Sequence, residues 1–135
     1  MHNKVDVSSL LSVELSNWKS QIRKGLIELV LLNMIDRYGS LYGLEILDKM
    51  KGIGLEITEG TLYPLLNRLV REHLLSPQWK TNGQSGNPRK YYKLTPQGVS
   101  FLKLMNAEWN KISYSVEHLA GGTRELRREN PKENQ

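Results

Sequence analysis

With 135 residues, 39% of them hydrophobic, the chain has the length for one domain with one core, and its apolar content argues against global disorder. It contains no cysteine, which excludes disulfide scaffolds, thiolate metal sites and cysteine nucleophiles, and fits a reducing cytoplasm. The net charge of +5 is concentrated in one stretch. Residues 1–57 are neutral, whereas residues 58–93 carry six Lys or Arg against two Glu, a local excess of +4. A localised basic stretch is the footprint of a phosphate-binding surface, or a solvated basic face.

The N-terminus has no basic segment followed by an apolar run, so no signal peptide is expected, and residues 1–9 read as a flexible start. From residue 10 to 38 the pattern is helical, with Leu11, Leu15, Trp18, Ile22, Leu26 and Leu29 recurring at threes and fours. The stretch 26–35 is apolar almost all round but is broken by Glu28 and Asn33, so it suits a buried helix and is too short to cross a bilayer. After Tyr38-Gly39, Ser40 can cap a short helix to about residue 51, with Leu44, Leu47 and Met50 as its inward stripe. Gly52-Ile53-Gly54 breaks it.

A third helix is expected from about 58 to 73, capped by Thr58, with Glu59 complementing the helix dipole. Spacing at 100° puts Leu62, Leu65, Leu66 and Leu69 on one face and Gly60, Tyr63, Pro64, Asn67, Arg68 and Arg71 on the other. Pro64 crowds the carbonyl one turn back, and a glycine at 60 would ease that crowding. Two strands, 75–81 and 89–95, flank a turn-rich loop of residues 82–88, the second alternating Tyr91 and Lys93 against Tyr92 and Leu94. Thr95-Pro96 opens the last helix, in which Leu102, Met105, Trp109, Ile112, Val116 and Leu119 step by threes and fours as a heptad seam. Gly121-Gly122 ends it, and residues 121–135 read as a charged, disordered tail.

This order implies a mainly α fold with a small β-hairpin: a winged helix-turn-helix over residues 10–95, then a C-terminal dimerisation helix over 96–120. Tyr42-Gly43-Leu44-Glu45-Ile46, Glu59-Gly60-Thr61-Leu62-Tyr63-Pro64 and the run Arg89-Lys90-Tyr91-Tyr92-Lys93-Leu94-Thr95-Pro96-Gln97-Gly98 resemble the signature segments of PadR-type regulators, in the family's order and spacing. The resemblance covers roughly residues 20–120. It implies a dimeric repressor of the short subfamily, with one C-terminal dimerisation helix, and a small aromatic effector as used by some members. Asn87 stands where the family's wing usually has a basic residue before Pro-Arg, which removes one phosphate contact.

In a winged helix the third helix enters the major groove, where Gly60, Thr61, Tyr63, Pro64, Asn67 and Arg68 would face the bases. Arg68 can read guanine and Asn67 adenine, while Tyr63 can offer its hydroxyl to a phosphate. The plainer alternatives are that Arg68 pairs with a carboxylate and Tyr63 packs on a neighbouring helix. Lys80, Arg89 and Lys90 on the wing would lie over phosphates or the minor groove. A symmetric dimer would read an inverted repeat in double-stranded DNA. Trp109, near Leu11, Leu15 and Trp18 across such a dimer, could line a flat pocket for an aromatic ligand, or be plain core. His2, His73 and His118 are scattered and no serine lies in a nucleophile-elbow setting, so neither an enzyme, a metal site nor a cofactor is expected. The competing reading is a winged helix serving as a protein-interaction module without DNA binding.

Overall fold

The structure, a computed structural model, describes residues 6–81 and 86–121. Helix α1 (Val7–Tyr38) starts at Asp6, whose carboxylate accepts the Ser8 N–H at 3.0 Å, and stops at Gly39, where φ is 85°. Residues 7–9, expected to be flexible, are therefore its first turn. Its apolar stripe changes surroundings halfway along. Leu29, Leu31, Leu32, Met34 and Ile35 are buried, whereas Leu11 is 63% and Trp18 56% exposed.

A two-residue strand, β1 (Leu41–Tyr42), precedes helix α2 (Gly43–Gly52). This corrects two expectations. Ser40 is not the cap; the helix starts after Tyr42, whose backbone N–H donates to the Glu45 carboxylate at 3.2 Å. Leu44 is exposed, whereas Leu47 and Met50 pack on the core as expected, together with Gly43 and Ile46. The turn through Ile53 and Gly54, the latter at φ 82°, leads to α3 (Glu59–Arg71). That helix runs through Pro64 and ends two residues earlier than expected, with His73 in the left-handed region at φ 62°. Gly60 is not needed to make room for Pro64: a Cβ there would meet only the Thr58 hydroxyl, at 3.7 Å.

Strands β2 (Leu75–Thr81) and β3 (Pro88–Leu94) form the expected hairpin, and β1 adds to its edge in the order β1-β3-β2. The register pairs Leu41 with Tyr92, Leu75 with Leu94 and Trp79 with Lys90, all antiparallel. The hairpin tip at residues 82–85 and all of the expected tail at 121–135 except Gly121 lie outside the described residues. Helix α4 (Pro96–Val116) is capped by Thr95, whose hydroxyl accepts the Gly98 N–H at 2.9 Å and donates to the His73 carbonyl at 2.6 Å. From Glu117 to Gly121 the chain widens into a π-turn, so the spacing that placed Leu119 in the seam ends at Val116.

The core is one cluster at the second half of α1, closed by Ile46 and Met50 of α2, Leu62, Leu66 and Leu69 of α3, Leu75 and Tyr92 of the sheet and Leu102 of α4. Helices α1 and α4 are fixed to each other by a reciprocal amide pair. Asn33 Nδ2 donates to Asn106 Oδ1 at 3.0 Å, and Asn106 Nδ2 to Asn33 Oδ1 at 2.9 Å. Among the described residues no helix is long and apolar enough to cross a membrane.

The amide pair sets a prediction. Asn33→Ala leaves the half-buried Asn106 amide unmatched and should cost about 1–3 kcal/mol in urea denaturation. The double substitution Asn33→Leu with Asn106→Leu should cost less than either alanine variant, since no unsatisfied amide remains.

Candidate nucleic-acid interface

Helix α3 is two-faced. Leu62, Leu66 and Leu69 are buried in the core, while Gly60, Thr61, Pro64 and Asn67 stand exposed on the opposite side. The Thr58 hydroxyl holds the first turn by accepting the Thr61 N–H at 3.3 Å. Among the described residues only the Thr58 hydroxyl, 3.7 Å from where a Cβ would stand, lies beside Gly60, and Pro64 has no N–H to give to the Gly60 carbonyl. The first turn and a half of α3 therefore offers backbone and short side chains to an incoming surface.

For the two residues with open alternatives, the structure places the side chains on neighbours. The Tyr63 ring closes on buried Gly43 of α2: a Cβ at Gly43 would lie 2.8 Å from Tyr63 Cζ and closer still to the hydroxyl. Arg68 is held by two carboxylates. Its Nη1 donates to both oxygens of Glu72 at 3.0 Å, and its Nη2 lies 3.0 Å from Glu28 of α1. The hydrogen bonds to Glu72, then to Glu28, raise the guanidinium pKa above its ordinary value. Arg68 thus joins α1 to α3, and reaching a base would require leaving both partners.

The wing carries the basic residues. Lys80, Arg89 and Lys90 are gathered on the hairpin, each beside an aromatic ring. Lys80 Nζ lies 4.8 Å from the Tyr91 ring and 3.3 Å from the Ser40 hydroxyl. The Arg89 guanidinium sits 4.6 Å over Tyr42, and Tyr42 meets Tyr91 edge-on at 5.3 Å. Such cation–π contacts hold the long side chains on the wing without neutralising them. Between wing and α3 runs a groove of about 430 Å³, with Tyr63 and Asn67 on one side and Trp79, Arg89 and Lys90 on the other.

The expected seam on α4 divides in two. Leu102 is buried and Met105 packs against the same core, while exposure rises to 37% at Trp109 and 59% at Val116. Ile112 and Leu119 are exposed as well. Trp109 does line a cavity, of about 620 Å³, but with Leu26, Leu29 and Val30 of α1 and with Ile53 and Leu55 beyond α2. Leu11, Leu15 and Trp18 do not line it; they lie on the exposed half of α1.

Sequence reasoning missed three residues that shape this surface: Gly43, Glu28 and Trp79. Gly43 and Glu28 act through contacts with residues twenty and forty positions away, which no local pattern carries. Trp79 could have been found from strand alternation, which puts it on the face of Leu75 with no core to cover.

The chain matches the model of the transcriptional regulator PadR-like family over residues 31–104. Among solved structures it resembles a PadR-like transcription factor from Bacteroides fragilis, with 43% identity and a TM-score of 0.64 over 77% of this chain and 99% of the other. A PadR-family regulator from Eggerthella lenta superposes at a TM-score of 0.72 with 27% identity, covering 84% and 97% of the two chains. One from Bacillus cereus shows 32% identity and a TM-score of 0.69, covering 75% and 97%.

The Tyr63 seat is testable by paired substitutions. Gly43→Ala should lower stability by about 1–3 kcal/mol in urea denaturation, because the added methyl drives into the Tyr63 ring. In a Tyr63→Ala background the same change should be nearly neutral; an equal cost in both backgrounds would show that the ring is not the obstacle.

Proposed function

Since the chain belongs to the PadR-like family of transcriptional regulators, and is accordingly not an enzyme, we propose that it works as a homodimeric, sequence-specific DNA-binding repressor relieved by a small aromatic effector. One observation carries the DNA reading. Tyr63 and Asn67 of α3 line one groove with Arg89 and Lys90 of the wing, inside the stretch of residues 58–93 that carries +4 of the chain's net +5.

In this reading α3 enters the major groove. Gly60 allows close backbone approach, Thr61, Pro64 and Asn67 face the base edges, and Asn67 is the bidentate partner for adenine. Tyr63 and Arg68 act one step back: the ring fixes α3 against α2, and the guanidinium fixes it against α1. Lys80, Arg89 and Lys90 meet phosphates of the flanking backbone and minor groove, supplying affinity without sequence information.

The dimer follows from uncovered apolar surface. The first half of α1 is a helical arm of about four turns with Leu11, Leu15, Trp18 and Ile22 in water, and α4 leaves Ile112 and Val116 likewise. An arm of that length with little packing is marginal in water, so a partner's helices are what stabilise it. A two-fold pair would set the recognition helices about 34 Å apart, suiting an inverted repeat. A dimer so placed on a promoter represses by occlusion. The cavity beside Trp109 has the size and apolar lining for a planar ligand, and it touches both α1 and α4.

Selection of bound fragments from genomic DNA tests the reading: enrichment of an inverted repeat supports it, and no enrichment over random DNA favours a protein-interaction module instead. On the selected duplex, Asn67→Ala should relax preference at one position per half-site, costing about 1–3 kcal/mol there, whereas Lys90→Ala should weaken all sequences alike and lower the salt slope by about 1. Ile112→Glu should shift the chain towards monomer in size-exclusion chromatography with light scattering and weaken operator binding with it.

A further inference from the structure

Strand alternation sorts the wing into two faces. Leu75 and Pro77 of β2 share a face with Leu94 and Tyr92 of β3, and Leu75 and Tyr92 are buried there against the core. One step further out, the same face carries Trp79 opposite Lys90, beyond the edge of the core. The indole is 65% exposed, with Lys90 Nζ 5.9 Å from its ring. Both residues look into the groove whose other wall is Tyr63 and Asn67 of α3.

Among the described residues packing gives no reason for the largest side chain at this position, since a threonine or valine would suit an exposed strand equally well. The groove in front of the indole is rimmed by Lys90, Arg89 and Asn67. An occupant that fits must be anionic and must also present an apolar surface to the ring. A deoxyribose–phosphate strand meets both demands: the sugar carbons offer the apolar face, and the phosphates on either side offer the charge. A strand passing between a helix in the major groove and a wing at the minor groove runs along this path.

We propose that Trp79 is a DNA-contacting residue: the groove between α3 and the wing seats one backbone strand, with the indole against a deoxyribose and the Lys90 ammonium on the neighbouring phosphate. The inference rests on the DNA-binding reading above and adds an uncharged residue to it. Because the indole releases no counterion, it strengthens binding to every sequence and leaves the salt dependence unchanged, which separates it from the lysines.

The experiment compares the full chain with its Trp79→Phe and Trp79→Ala variants, using a pool of random 30-base-pair duplexes at low salt. Tryptophan emission should change when duplex is added to the unsubstituted chain, and that change should be largely lost in Trp79→Phe, in which Trp18 and Trp109 still report. Trp79→Ala should bind about fivefold to fiftyfold more weakly, with an unaltered slope of log K against log salt, and Trp79→Phe should fall between. Thermal melts equal to that of the unsubstituted chain certify folding of both variants, as expected for an exposed site. If the full chain binds no duplex at all, the DNA-binding reading fails and this proposal with it. If it binds but both variants bind equally well and the emission change persists in Trp79→Phe, the proposal fails and the reading stands. Unchanged duplex affinity with a lowered oligomer mass for Trp79→Ala would assign the indole to a protein contact and overturn the proposal as well.

Discussion

The rest of the structure depends on an apolar stripe that the described residues leave half uncovered. On α1 it runs along one face from Leu11 to Leu29, buried at its C-terminal end and in water at its N-terminal end. On α4 it runs the other way, from buried Leu102 to exposed Val116. Helices end where their packing ends unless something else holds them, and isolated turns of this length are barely stable in water. Both helices nevertheless continue well beyond the core, and the side chains that continue with them are apolar. In the proposed dimer a second copy of the same two arms would cover the stripe, and the two-fold arrangement would turn one recognition helix into a reader of an inverted repeat.

From that frame the groove-facing elements are held at fixed angles by a few contacts. The Asn33–Asn106 amide pair sets α4 against α1, and Arg68, between Glu72 and Glu28, sets α3 against α1. Tyr63 on Gly43 sets α3 against α2. The Arg68–Glu28 contact joins α1, which carries part of the uncovered stripe, to the helix whose Tyr63 and Asn67 line the groove. The cavity beside Trp109 opens between those same helices, so a molecule bound there would press on α1 and α4 at once. Coupling between ligand and DNA would then be a matter of the angle between two arms.

What was legible in the residues follows the range of the physics. The helices declared themselves through 3.6-residue periodicity, since Leu62, Leu66 and Leu69 bury the same face that spacing puts together. The last helix was bounded by its own cap, Thr95 with Pro96. A two-residue strand such as β1 offers no alternation to detect, and missing it also misplaced the start of α2. Of the two partners of Arg68, Glu72 lies one turn on, within reach of a local pattern, whereas Glu28 lies forty positions away. Trp109 lines a cavity within the chain, and which residues share it depends on how α4 crosses α1, which no local pattern states.

The central claim is that two chains, joined through α1 and α4, read one operator. Sedimentation equilibrium of the chain with the selected duplex measures this directly, because the mass of the complex counts the protomers. Two chains per duplex are expected, with a dimer as the dominant species without DNA. One chain per duplex, or a monomer at concentrations where the operator is saturated, would contradict it.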